Sequence, residues 1–220
     1  MNKIIKDAFI LFAITLVAGI VLGAVYNITK GPIAEQNEKT KQAAYKEVLA
    51  DADSFEAIDN EKYSEKNLVS LVSSLKDTEE DFSADEVTDV VAGVKDGKIV
   101  GFVVTIVAGD GYSGDIQFSV GVSSDGKYTG TSILSINETA GLGMRVKTDP
   151  SFLSQFVGVT VDKFTVVKDG SGSSSDDKID AIGGSTVTSK AVTKGINAAL
   201  AVYRDLISEN VKTVGGASVE

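Results

Sequence analysis

The residues best placed for chemistry in this 220-residue chain are the hydroxyls of the run Asp180-Ala181-Ile182-Gly183-Gly184-Ser185-Thr186-Val187-Thr188-Ser189. Two glycines let a backbone or a ligand approach closely, and the hydroxyls sit where a long helix is expected to begin. A helix N-terminus offers open N–H groups and a partial positive charge, so it favours a phosphate. The run is not a P-loop, because no lysine follows the glycines at the required spacing. The same residues also read as a Thr/Ser cap after a tight turn, and on composition alone both readings stand. The chain has no cysteine and no histidine. That excludes disulfides, thiolate metal sites, Ser-His-Asp triads, His-ligated haem and the usual neutral-pH proton shuttle. Chemistry here must come from hydroxyls, carboxylates, lysines or a borrowed cofactor.

Two further stretches stand out. Glu138-Thr139-Ala140-Gly141-Leu142-Gly143 sets small and turn-forming residues around one apolar side chain, which suits contact with a flat ring. Gly111-Tyr112-Ser113-Gly114-Asp115-Ile116 reads as a turn leading into a strand. Taken singly, each is ordinary turn chemistry.

In this order around one domain, the three stretches resemble the flavin-attachment family formed by the G subunit of Rnf complexes and the C subunit of the sodium-pumping NADH:quinone reductase. That family carries FMN on the threonine of a D-x-x-S-G-A-T-x-T-S motif. By position, Asp180, Gly184, Thr186, Thr188 and Ser189 match, while Gly183 and Ser185 replace the usual serine and alanine. The second stretch is similar to the family's E-T-P-G-L-G loop, with Ala140 for proline, and the third to its G-Y-x-G-x-I entry. The resemblance implies covalent FMN joined through its phosphate to Thr186, with Gly184, Ser185, Thr188 and Ser189 beside it. It further implies a pocket from Glu138, Thr139, Gly141, Leu142 and Gly143, with Leu142 against the ring, and Asp180 as part of what a flavin transferase reads. Ser185 adds a second hydroxyl next to the acceptor. Arg145 and Lys147 are either phosphate contacts or surface charges. The implied role is an electron relay within an ion-translocating ferredoxin:NAD oxidoreductase complex, and its implied partners are the other subunits and that transferase. The reductase subunit is usually longer, which favours the Rnf assignment. Electrons are carried by the flavin, so no catalytic side chain and no metal are expected.

The elements that must hold these residues come next. Ala8–Thr29 has no charged side chain and is long enough, at ~1.5 Å per residue, to span a ~30 Å hydrocarbon core. It is also longer than the ~7–15-residue apolar region of a secretory signal. Lys3 and Lys6 before it place residues 1–7 in the cytoplasm and the remainder outside. Gly31-Pro32 reads as a helix start, followed by a stalk helix over 33–49 with a thin apolar stripe of Ala44, Val48 and Leu49. Residues 51–86 hold 12 acidic and 3 basic side chains, nearly all of the chain's net charge of −10, and read as a loop-rich solvated face. That charge argues against a nucleic-acid binder.

From Val87 the pattern changes to β-branched runs. Asp96-Gly97 and Asp125-Gly126 predict hairpins between Val87–Lys95 and Lys98–Val107, and between Ile116–Ser123 and Lys127–Ile136. A short helix near Pro150–Phe156, a strand at Val159–Val167 and a polar loop over 168–180 follow. The final helix, about Ser189–Ser208, carries Val192, Ile196, Ala199, Tyr203 and Leu206 at helical spacing on one face. The expected fold is α+β, an antiparallel sheet packed by helices and preceded by one transmembrane helix. Its parts are 1–7, the span 8–29, a stalk and acidic linking region 30–86, and an extracytoplasmic core 87–220. A membrane-anchored binding or scaffold module without redox function would share this composition and is the competing expectation.

Overall fold

The computed structural model describes residues 2–75 and 80–219. They divide into two compact units, one up to Gln42 and one from Ala43 onward. The first unit is helical and has the length and apolar composition to cross a membrane. Its helix, α1, runs unbroken from Asn2 to Val48 with Pro32 inside it, so the expected helix start at Gly31-Pro32 is corrected. An interior proline deprives the carbonyl four residues back of its donor. Here that residue is Ile28, at the end of the uncharged span and beside Thr29 and Lys30.

The second unit is built on a five-stranded antiparallel sheet. β1 (Ser54–Ala57), β2 (Asp85–Lys95), β3 (Lys98–Ala108), β4 (Ile116–Ser123) and β5 (Tyr128–Ser135) lie side by side in chain order. Both expected hairpins are present. Asp96 and Gly97 each take positive φ, at 51° and 77°, as a two-residue turn between right-twisted strands requires. β3 is buried along nearly its whole length, because both faces of the sheet are covered. On one face lies the main core with α5 (Thr186–Ser208), where Val192, Ile196, Ala199 and Leu206 are buried as the stripe predicts. Tyr203 is partly buried and donates to the Ser124 carbonyl at 3.1 Å. On the other face the end of α1 supplies Tyr45, Val48 and Leu49, packed with Ala52 and Val103. The thin stripe therefore covers this face of the sheet.

Three other expectations change. The expected loop-rich face over 51–86 carries regular elements among its described residues, with 76–79 lying outside them. β1 pairs with β2, and α2 (Glu65–Ser74) buries Leu68, Leu71 and Val72. Of the acidic side chains only Glu65 lies in α2, in its first turn, and Asp85 is buried in β2. The strand expected over 159–167 shortens to β6 (Thr165–Val167), which pairs in parallel with β7 (Lys178–Asp180), inside the stretch read as a loop. The reason is long-range: the Asn197 side chain accepts from Phe164 N–H at 2.8 Å and donates to Phe164 C=O at 3.0 Å, taking both ladder bonds there. Finally, α5 begins at Thr186, three residues before Ser189. The short helix near residue 150 is present as α3 (Arg145–Thr148) followed by α4 (Pro150–Leu153) and a 3-10 turn over Ser154–Phe156. Asp149 caps α4 by accepting from Ser151 N–H at 3.0 Å.

Candidate functional site

Two turns of the same build meet above the start of α5. In Thr139–Leu142 the Leu142 N–H donates to Thr139 C=O at 3.1 Å, and Gly141 takes φ 76°. In Ile182–Ser185 the Ser185 N–H donates to Ile182 C=O at 2.9 Å, and Gly184 takes φ 80°. Positive φ at the third turn position needs glycine, whereas the second position tolerates most residues. That is why Ala140 and Gly183 can depart from the motif without disturbing either turn. The turns touch, since a Cβ on Gly184 would lie 3.2 Å from Leu142 Cδ2.

Beneath them is a cleft of about 580 Å³. One wall comes from Glu138, Thr139, Leu142 and Gly143 with Tyr112, the other from residues 184–188. Glu138 organises the first wall. Its buried carboxylate accepts from Tyr112 N–H at 2.7 Å and Ser113 N–H at 3.3 Å, which ties the Gly111–Gly114 turn to the loop 138–143. Gly143 lets this wall close on α5, because a Cβ there would lie 2.6 Å from Glu138 Oε2 and 2.7 Å from Thr188 Oγ1. A second tie runs through Lys194 of α5, which donates to Asp110 at 2.6 Å and lies 3.4 Å from the buried Asp85. Burial pushes the Asp85 carboxyl up to about 6, with Lys194 pulling it back down.

On the second wall, α5 makes its first backbone bond from Ser189 N–H to Ser185 C=O at 2.9 Å. The N–H groups of Thr186, Val187 and Thr188 precede that bond and have no partner within the helix. Thr186 is half-buried at the lip, whereas Thr188 and Ser185 are 1% and 5% exposed. The Ser185 hydroxyl is buried with no hydrogen-bond partner. An open helix end, an orphaned hydroxyl, a close-approach glycine and a half-exposed leucine together fit a ligand with a phosphate at one end and a flat ring at the other. FMN has that shape.

The structure thus brings Gly184, Ser185, Thr186 and Thr188 together with Glu138, Thr139, Leu142 and Gly143. The other expected residues stand elsewhere. Ser189 is fully buried, and its hydroxyl donates to Ser185 C=O while accepting from Ile182 N–H, so it stitches the turn to the helix. Gly141 shapes its turn without lining the cleft. Arg145 pairs with Asp149 at 2.8 Å, and hydrogen bonds from Ser151 together with that guanidinium hold the Asp149 carboxyl down at about 2. Lys147 lines a different surface depression, beside Pro150 and Ser132. Asp180 sits in β7, where its carboxylate accepts from Gly172 N–H at 3.0 Å and folds the 168–180 loop back on itself. Tyr112 and Val187 also line the cleft, and the sequence does not mark them as site residues. Val187 reads as lying ahead of the helix, and Tyr112 belongs to a stretch that reads as a strand entry. A second cleft of about 530 Å³ along α5 shares Val187 but is rimmed by Lys163, Lys190 and Lys194 and holds no other residue of the three motifs.

The FMN-binding domain family model matches residues 111–201, which include both walls of the cleft, and the RnfG N-terminal region matches residues 1–48. The chain is 36% identical over 203 residues to the G subunit of the Na(+)-translocating ferredoxin:NAD(+) oxidoreductase complex of Acetobacterium woodii, covering 92% of this chain and 93% of that protein. It is 34% identical over 202 residues to the G subunit of the proton-translocating ferredoxin:NAD(+) oxidoreductase complex of Clostridium ljungdahlii, covering 89% and 92%. Among solved structures, Shewanella oneidensis NqrC shares the fold with a TM-score of 0.53 at 18% identity, covering 80% of this chain and 99% of that one.

Proposed function

We propose, for a chain that belongs to the RnfG family of ion-translocating oxidoreductase complexes, that it relays electrons through FMN esterified to Thr186. The chain is the FMN-binding, electron-transfer component of such complexes, with an N-terminal apolar helix as its membrane anchor. The observation that carries the finer reading is the meeting of Thr186 and Leu142 in one cleft at the open end of α5. When bound, FMN supplies one- and two-electron chemistry that no side chain here can perform. Thr186 Oγ1 is the acceptor. It takes the FMN moiety of FAD at phosphorus, AMP leaves with the electrons of the broken anhydride bond, and the hydroxyl proton passes to the transferase. With FMN held there, the open N–H groups of α5 would serve its phosphate, Leu142 would meet the ring, and Glu138 would hold the wall on that side. Asp180, which sets the loop before the Ile182–Ser185 turn, is the expected recognition point for that transferase. A tether suits a domain outside the cytoplasm, where a dissociated flavin would be lost. The full chain co-produced with a flavin transferase should be yellow, keep its colour through denaturation and carry one FMN. A colourless chain would favour the scaffold reading.

Two further results are expected. Leu142→Arg should keep the tether but alter the flavin's absorption band. A cation beside the ring favours the reduced, negatively charged form, so the midpoint potential should rise by on the order of 30 mV, a tenfold change in a two-electron equilibrium. A folded variant with unchanged spectrum and potential would put the 138–143 loop away from the flavin. Topology is the second. Lys3 and Lys6 ahead of the uncharged span support an extracytoplasmic position for the unit from Ala43 onward. Protease added to intact cells stripped of their outer layers should digest it, and protection until the membrane is broken would reverse the orientation.

A further inference from the structure

We propose that the Ser185 hydroxyl donates a hydrogen bond to the phosphoryl group carried on Thr186, forming with the open end of α5 a seat for a phosphate ester. This rests on Thr186 being the attachment point. Ser185 is 5% exposed and lines the cleft, and its Oγ is one of the few buried side-chain oxygens with no partner. A buried hydroxyl left unpaired costs free energy, so native structures keep few of them.

A serine in this position normally caps the helix, its oxygen accepting from the second or third N–H. Ser185 sits at the cap position, with φ −132° and ψ 40°, and makes no such bond. Its oxygen is therefore not spent on the helix, and the N–H groups of Val187 and Thr188 are not spent on it. Ser189, also buried, shows the contrast, since its hydroxyl is fully used between Ile182 N–H and Ser185 C=O. A phosphate diester on Thr186 presents two unesterified oxygens that share one negative charge. Among the described residues no lysine or arginine lines this cleft. Its donors must then be neutral, and of the hydroxyls that line the cleft Ser185 is the one adjacent in the chain to Thr186 and buried without a partner.

The test uses the full-length chain, co-produced with the transferase and purified in detergent, as wild type, Ser185→Ala and Ser185→Thr. All three should carry FMN on the peptide containing Thr186. The ³¹P resonance of the tether should move in Ser185→Ala and return to its wild-type position in Ser185→Thr. A loaded Ser185→Ala chain with an unmoved resonance overturns the proposal, as does mass spectrometry placing the flavin on Ser185. If Ser185→Ala folds but does not load, inorganic phosphate is titrated into the unloaded wild-type and variant chains. Binding weaker by about tenfold in the variant, the loss expected for one hydrogen bond to a charged acceptor, supports the proposal, and equal binding overturns it. Loss of flavin in Thr186→Val with no change in Ser185→Ala leaves the attachment reading standing and removes this one.

Discussion

Thr186→Val should yield a folded, anchored chain that carries no covalent flavin. Valine keeps the size and β-branch of threonine and has similar helix propensity. Among the described residues the Thr186 hydroxyl has no hydrogen-bond partner to lose, so stability should change by no more than about 0.5 kcal/mol. The FMN mass and the in-gel flavin fluorescence should both vanish. Neighbouring hydroxyls are poor substitutes for a reason of access. Ser185, Thr188 and Ser189 are 5%, 1% and 0% exposed, and an incoming transferase with its FAD could not reach them without opening the Ile182–Ser185 turn or the start of α5. Thr186 is the hydroxyl at the lip. Retention of flavin in the variant would place the bond on one of those buried oxygens and would mean that the first turn of α5 opens during loading.

What the sequence reveals of this fold, and what it hides, divides by the range of the interaction responsible. The Asp96-Gly97 and Asp125-Gly126 hairpins are local, and their strands appear within a residue or two of expectation. The α5 stripe is equally local, because Val192, Ile196, Ala199 and Leu206 carry their helical spacing in the sequence itself. The start of α5 lies earlier than its pattern indicates because the Gly184 turn closes on Ile182 and commits Ser185 C=O to Ser189 N–H, drawing three more residues into the helix. β6 and β7 depend on Asn197, more than thirty residues from Phe164, and no window along the chain reveals that partner. α2 is hidden by charge: its buried Leu68, Leu71 and Val72 have helical spacing, but the acids around them dominate the composition. The site follows the same division. Each of the three stretches is legible as a turn, and family resemblance joins them. That Glu138 is the joint between two of them depends on hydrogen bonds reaching back to Tyr112 and Ser113, which no local pattern announces.

The largest loss of stability is expected at Phe156, which supports the attachment turn from below. Its ring is fully buried and lies 4.8 Å from Phe164, 5.6 Å from Tyr128 and 5.6 Å from Phe152, centroid to centroid. These four rings join the 150–156 helical segment to β5 and β6. The residue before it, Gln155, grips β7 by its backbone, accepting from Asp180 N–H at 2.8 Å and donating to Asp180 C=O at 3.2 Å. Truncating a buried phenylalanine costs about 3–5 kcal/mol in lost transfer energy and residual cavity. At roughly 2–4 °C per kcal/mol for a unit of this size, Phe156→Ala should lower the melting midpoint by about 6–20 °C. Phe156→Leu keeps more of the volume and should lose less. Circular dichroism melts of the full chain in detergent measure both. The consequence for function is indirect but specific. With the ring removed, Gln155 loses its fixed position, Asp180 loses its grip, and the Ile182–Ser185 turn starts from a looser strand. FMN loading should therefore fall at temperatures where the variant is still folded, while Phe156→Leu loads nearly as wild type. A Phe156→Ala chain that melts within about 2 °C of wild type would show that the cavity collapses freely, and that the turn is held by α5 alone.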